Sequence, residues 1–228
     1  MDFKGAHFPK DVILMAMRWY LAYPLSYRNV EDFLKGRGFL IDHATVNRWV
    51  IKYAPLLEME ARKLKKPTIK SWRMDETYVR VKGRWCYYYR AVDTKGKTID
   101  FFLSKKRDLK AAKAFLDKAI AIHGLPQKVN IDKSGANLAA LEAVNIGLEL
   151  ENQIIIRQIK YLNNLIEQDH RAIKRITRPM MGFKNFHTAS ATLAGIEFYH
   201  MIKKGQFVFD QSFSTSTRVN VKVGLIAA

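Results

Sequence analysis

The sequence predicts an α/β protein, a mixed-sheet domain preceded by an all-α module, and three patterns predict it. The first sixty residues carry helical hydrophobic periods between capping residues and breakers, and residues 71–107 carry three β-branched and aromatic runs joined by glycine turns. After these, helical and extended segments alternate.

Residues 11–23, "DVILMAMRWYLAY", are almost wholly apolar and stop at Pro24, as a buried helix does. Ser26 can cap a second helix, "SYRNVEDFLKGRG", with Val30, Phe33 and Leu34 inward and Gly36 and Gly38 closing it. Asp42 caps a third, "DHATVNRWVIKYAP", which repeats Val46, Trp49, Val50 and Tyr53 on one face and is expected to end by Pro55. Its other face presents Thr45, Asn47, Arg48 and Lys52. A short helix, a glycine turn and a capped helix with exposed hydrogen-bonding side chains fit a helix-turn-helix, whose second helix reads the major groove. An ordinary three-helix bundle with a solvated polar face fits the same residues. The expected domains are a helix-turn-helix module at 1–60, a basic linker at 61–71, a catalytic domain at 72–205 and a tail at 206–228.

From Ser71 the period changes. "WRMDETYVRVKG", "RWCYYYRAVDTKG" and "KTIDFFLSKKRD" read as an antiparallel meander with turns at Lys82-Gly83 and Thr94-Lys95-Gly96. A helix "LKAAKAFLDKAIAIHG", a strand "QKVNID", a helix "NLAALEAVN", a strand "NQIIIRQI" and a helix from Asn164 follow. Three strands, helix, strand, helix, strand, helix is the order of a ribonuclease H-like mixed sheet. Trp72, Trp85 and Tyr87 to Tyr89 are expected in the sheet core.

Composition narrows the function. Lys and Arg number 39 against 21 Asp and Glu in 228 residues, a net charge of +18 spread along the whole chain, which points to a polyanion and most economically to nucleic acid, with a basic protein that has no such partner as the alternative. The partner the full reading expects is double-stranded DNA. Cys86 is the single cysteine, which excludes an internal disulfide and a cysteine-rich zinc site. With no basic-then-apolar leader and no apolar run long enough for a span, a cytoplasmic protein without membrane contact is expected. "KGKT" at 95–98 lacks the preceding glycine of a phosphate loop, so nucleotide use is not expected.

Three carboxylates stand out against this basic background. Asp75 lies within a strand, where aspartate is disfavoured, Asp132 closes the fourth strand, and Glu167 opens the last helix. In a ribonuclease H-like sheet the first and fourth strands are neighbours and the last helix crosses beside them, a placement suited to hard divalent cations. Each has a local alternative. Asp75 can pair with Arg73 or Lys82, Asp132 can cap its own turn, and Asn164 with Glu167 can form a capping box. Glu76 points to the opposite face from Asp75 and is not counted. On the last helix His170, Arg171, Lys174 and Arg178 share a face with Glu167 and read as a DNA-facing surface.

The blocks "WRMDETYVRVKGRWCYYYRAVD", "IDKSGANLAAL", "KYLNNLIEQDHRAIKRI" and "GFKNFHTASATLAGIE", with "SYRNVEDFLKGRG" and "HATVNRWVIKYAP", resemble bacterial transposases of the insertion-sequence-six family over residues 1 to about 205. That family carries an Asp-Asp-Glu triad whose last two members are separated by 34 residues, and 34 residues lie between Asp132 and Glu167. The resemblance implies that Asp75, Asp132 and Glu167 are catalytic and hold two Mg2+ or Mn2+ ions. It implies an enzyme that binds terminal inverted repeats, frees 3′-hydroxyl ends and joins them to target DNA as cointegrates. It also implies a homodimer or larger assembly acting in the bacterial cytoplasm at the nucleoid. A DNA-binding regulator or a domesticated transposase that no longer cuts is the alternative. The tail 206–228 matches no block of the family.

Overall fold

The computed structural model describes Phe3 and residues 6–208. Its chain falls into two compact units, one of residues 1–66 with 173–228 and one of residues 67–172.

In the first unit, α1 (Lys10–Ala22) buries Ile13, Leu14, Met17 and Leu21 and ends before Pro24. α2 (Tyr27–Lys35) starts at Ser26 with a full capping box, in which Asn29 N–H donates to Ser26 Oγ at 3.2 Å and Ser26 N–H donates to Asn29 Oδ1 at 2.9 Å. α3 (His43–Arg62) starts at Asp42, whose Oδ1 accepts from the Thr45 N–H at 2.7 Å.

The expected end of this helix at Pro55 is not observed, since α3 continues through the proline to Arg62. The apolar period explains why: Val50, Ala54, Leu57 and Ala61 are all fully buried along one stripe, and the Glu58–Arg62 ion pair staples the last turn. Packing offsets the hydrogen bond that Pro55 removes.

That stripe meets α7 (Phe186–Lys203), the principal helix contact of this unit. Gly195 lets the helices approach, because a Cβ there would lie 2.8 Å from Ala54 Cβ and 2.6 Å from Leu21 Cδ1. Compactness thus groups α7 with the amino-terminal helices, whereas the sequence boundaries 72–205 placed it with the sheet. Residues of the expected linker are also engaged. Lys66 N–H donates to the Gln206 carbonyl and Val208 N–H to the Leu64 carbonyl, both at 2.8 Å. Beyond Val208 the tail lies outside the described residues.

The second unit is a five-stranded sheet in the order β3-β2-β1-β4-β5. β1 (Ser71–Val81), β2 (Arg84–Asp93) and β3 (Thr98–Ser104) form the antiparallel meander. Its first turn has Lys82 at φ 49° and Gly83 at φ 76°, the two positive φ values of a type I′ hairpin. β4 (Lys128–Asn130) pairs parallel with β1, and β5 (Ile155–Arg157) pairs parallel with β4. This mixed sheet, with the first and fourth strands adjacent, has the ribonuclease H-like order expected from the sequence.

One face of the sheet carries a core of Trp72, Met74, Tyr89, Ala91, Val129 and Ile131. α4 (Leu109–His123) and α5 (Gly135–Ile146) contribute Phe115, Leu116 and Leu141 to it. Trp85 departs from the expected core placement. At 61% exposure it stands in the open near the hairpin end, while Tyr88 and Tyr89 are buried as expected. α6 (Asn164–Thr177) follows a 3-10 turn at Lys160–Asn163. Among the described residues no helix is long and apolar enough to cross a membrane.

Candidate active site

Strand alternation sorts the residues of β1 between two faces. Trp72, Met74 and Glu76 lie on the side of α4 and α5, and Arg73 and Asp75 lie on the other.

On the second side, Arg73 of β1 and Asn130 of β4 are register partners. Arg73 Nε donates to the Leu162 carbonyl at 2.7 Å. Asn130 Nδ2 donates to the Ile159 carbonyl at 3.1 Å and to Asn163 Oδ1 at 2.5 Å. The two neighbouring strands therefore hold the 3-10 turn that starts α6.

A second pair of contacts follows one level along the sheet. Arg90 of β2 is the register partner of Asp75, is fully buried, and donates from Nη2 to Asp169 Oδ2 at 2.5 Å. Asp75 Oδ2 lies 3.3 Å from His170 Nε2. Asp75 pairs with neither Arg73 nor Lys82 in these contacts; its partner comes from the helix 95 residues further along the chain.

His170 corrects the sequence reading. It is 5% exposed and so is not part of a DNA-facing surface. Ile166, His170 and Ile173 fall at helical spacing and are all buried, so the apolar stripe of α6 takes the histidine inward. Burial holds its pKa below the ordinary histidine value, opposed by the Asp75 hydrogen bond.

Glu167 is exposed and shares a face with Arg171 and Lys174, also exposed. Asn164 has φ −52° and ψ −33°, helical values that remove it from the N-cap position a capping box with Glu167 requires. Arg178 is exposed but does not lie on α6. The helix ends at Thr177, and Arg178 opens a 3-10 turn with Pro179, since the residue before a proline disfavours the α region.

On the α4/α5 side, Asp132 sits just past β4. Its Oδ1 accepts from the Ser134 N–H at 2.9 Å, the turn-capping bond open to an aspartate at this position, and its Oδ2 lies 3.9 Å from Arg107 Nη2. Arg107 is ion-paired to Glu76, which also accepts from Asn137 Nδ2 at 2.9 Å. Burial raises the Glu76 pKa above the usual carboxylate range, with Asn137 and then Arg107 opposing. Arg107 and Glu76 are missed by sequence reasoning. The only local signal for Arg107 is the basic run Lys105-Lys106-Arg107, which reads equally as a solvated loop.

The structure thus brings Asp75 to α6 through His170 and brings Asp132 to Glu76 through Arg107. Among the described residues no three His, Cys, Asp or Glu side chains are grouped to hold a metal ion. The donor chemistry of the three predicted residues still fits a hard divalent cation. All three are carboxylates, with the Asp132 side chain 42% and the Asp75 side chain 16% exposed and Glu167 open to solvent.

In the amino-terminal helices, Arg48 and Lys52 are exposed one turn apart on α3. Thr45 Oγ1 donates to Asp42 Oδ2 at 3.0 Å and accepts from Arg48 Nη2 at 2.6 Å. Asn47 departs from the open polar face expected of it. It is half-buried and hydrogen-bonds Tyr27 of α2, whose ring stacks on Tyr20 with centroids 3.7 Å apart.

Comparison with known proteins places this geometry in a family. Residues 69–206 match the DDE domain family of transposases. The chain is 44% identical over 206 residues, 90% of each protein, to the transposase for insertion sequence element IS257 in transposon Tn4003 of Staphylococcus aureus. It is equally similar to the transposase for insertion sequence-like element IS431mec of the same organism. Among solved structures, the HTLV-2 integrase catalytic core domain in complex with magnesium aligns with a TM-score of 0.44 and 19% identity, covering 57% of this chain and 84% of that one. The length and level of the sequence matches decide the matter: the chain belongs to the insertion-sequence-six family of DDE transposases, enzymes of metal-dependent DNA cleavage and transfer.

Proposed function

We propose that this transposase binds the terminal inverted repeats of its own element, cleaves one strand at each end with water, and passes the freed 3′-hydroxyls directly into target DNA to form cointegrates. In this reading Asp75, Asp132 and Glu167 are the catalytic carboxylates and the ligands of two Mg2+ or Mn2+ ions. Such ions, when bound, supply Lewis-acid stabilisation of the attacking and leaving oxygens of a phosphodiester.

The protein's own residues supply position. Arg48, Lys52 and Thr45 of α3 would meet the duplex of the repeat, with Asn47 held by Tyr27 at the helix's inner edge. Arg171 and Lys174 share the face of Glu167 and would bear on phosphates beside it, with Arg178 just past the helix end. His170 and Arg90 orient rather than react, since both are buried. Two ends must be held together, so the working form is a homodimer or larger assembly on DNA, in the cytoplasm at the nucleoid.

The observation that carries the reading is the parallel pairing of β1 with β4. It sets Asp75 on the strand next to the one that Asp132 follows, while Arg73 and Asn130 of the same strands hold the start of the helix bearing Glu167. Asp132→Asn tests it. Cleavage and joining of repeat-bearing DNA in Mg2+ should fall to the level seen with EDTA, with repeat binding within about twofold of wild type, because only a charged ligand is lost. Nicking retained by that variant refutes the assignment.

A further inference from the structure

The β1/β2 hairpin carries an exposed aromatic surface that the reaction above does not use. Tyr78 and Tyr87 are cross-strand partners, as are Arg80 and Trp85, so all four project from one face of the sheet. Tyr78 is 48% and Trp85 61% exposed, and Tyr87 is half-buried. Tyr78 and Trp85 meet edge to face with centroids 6.2 Å apart at 75°, and Tyr78 and Tyr87 are tilted with centroids 5.4 Å apart at 57°. At 61% exposure the Trp85 indole leaves ring surface open to solvent. Arg80, Lys82 and Arg84 are all exposed around the type I′ turn, and from Thr77 through Val92 there is no acidic residue.

The next pair along the same face is Glu76 with Tyr89, and Glu76 is the residue that holds Arg107 beside Asp132. Four residues of strand separate Glu76 from Arg80 on this face, roughly 13 Å at about 3.3 Å per residue, the length of a few nucleotides of extended strand.

We propose that Tyr78 and Trp85 form a stacking platform for unpaired nucleotides of a DNA strand next to the reacting phosphate, with Arg80, Lys82 and Arg84 on its phosphates. This deepens the transposase reading and rests on it for the identity of the polymer. Two features favour unpaired DNA over other occupants. A base presents a free face to an aromatic ring only when it is unstacked, and stacking of this kind is indifferent to sequence because every base has such a face. A second copy of the same patch would bring six cations together without an acid between them.

The test uses the full chain and a short oligothymidylate, read by tryptophan emission. Trp85 is the open indole of the four, Trp49 and Trp72 being buried and Trp19 half-buried. Wild type should be quenched on binding. Trp85→Leu should lose the quench and bind the oligothymidylate about five- to a hundredfold more weakly, with duplex repeat binding within about twofold. Trp85→Phe should recover most of the affinity because it restores a ring. Tyr78→Leu is a second variant at another exposed position and should weaken single-strand binding in the same direction. A quench that survives in Trp85→Leu, an equal loss on single strand and duplex, or a change in self-association without a change in DNA binding each overturns the proposal. A wild type that shows the quench but cleaves no repeat DNA would refute the reaction while leaving the platform standing.

Discussion

Arg90→Met would show how much the attachment of α6 depends on charge. Arg90 is 0% exposed and its partner Asp169 has a side chain only 9% exposed, with Nη2 and Oδ2 2.5 Å apart. Methionine keeps the length of the stem but removes the guanidinium, so Asp169 stays in a nearly dry site without its arginine. Breaking a buried pair from one side costs about 3–5 kcal/mol. For a chain of this size each kcal/mol lowers the midpoint by about 2–4 °C, so thermal unfolding followed by circular dichroism should fall by roughly 6–20 °C. Arg90→Met with Asp169→Leu removes both charges and should recover at least half of that loss, because two apolar groups need no counter-charge. A single variant that melts within about 2 °C of wild type, or a double variant no better than the single, would refute the reasoning.

Three further outcomes follow from the same geometry. Gly195→Ala should lower stability by about 1–3 kcal/mol in urea titration, since its Cβ would meet Ala54 Cβ at 2.8 Å and neither helix backbone can turn away; an unchanged midpoint would mean that α3 and α7 slide freely. Arg48→Ala should cost roughly 1–3 kcal/mol on repeat DNA and much less on random duplex in gel-shift titrations, whereas equal losses would mean that Arg48 touches only phosphate. Glu167→Gln should keep its melting temperature and repeat binding yet lose donor-to-target transposition, and wild-type transposition by that variant would remove Glu167 from the chemistry.

What could be read from the sequence was whatever is decided locally. Ser26 and Asp42 cap helices because each bonds an N–H three residues away, and Lys82-Gly83 turns the hairpin because two adjacent residues adopt positive φ. The strands of the meander follow from runs of β-branched and aromatic side chains. What could not be read was decided by partners far along the chain. Pro55 reads as a helix end until α7 covers the stripe on either side of it. His170 lies on the boundary of the two faces of α6, and only the presence of Asp75 and the buried positions of Ile166 and Ile173 decide its side. Trp85 has the character of a core residue but stands 61% exposed just past the hairpin turn. Glu76, set aside because it opposes Asp75, proves to be the anchor of Arg107 beside Asp132, a contact with no periodic signature.

Glu167 is the most exposed of the three predicted carboxylates, and its placement comes from its neighbours on the helix. On its amino-terminal side, Arg73 and Asn130 fix Ile159, Leu162 and Asn163 by hydrogen bonds from two adjacent strands. On its carboxy-terminal side, Arg90 and Asp75 hold Asp169 and His170 through side chains from β2 and β1. From Asn163 to His170 is seven residues, about 10 Å of helix and nearly two turns. One attachment alone would fix a point and leave the helix free to rotate or tilt about it. Two attachments on the same side, almost two turns apart, fix both its axial position and its rotation, so the direction of Glu167 follows from helical geometry. Buried charge is a costly way to secure a helix that apolar contacts could also cover, but apolar packing tolerates small rotations that a 2.5 Å ion pair does not. The polar residues between β1, β2 and α6 thus fix the direction of one carboxylate, and under the role proposed for Glu167 substitutions among them should disturb the chemistry in proportion to the rotation they permit.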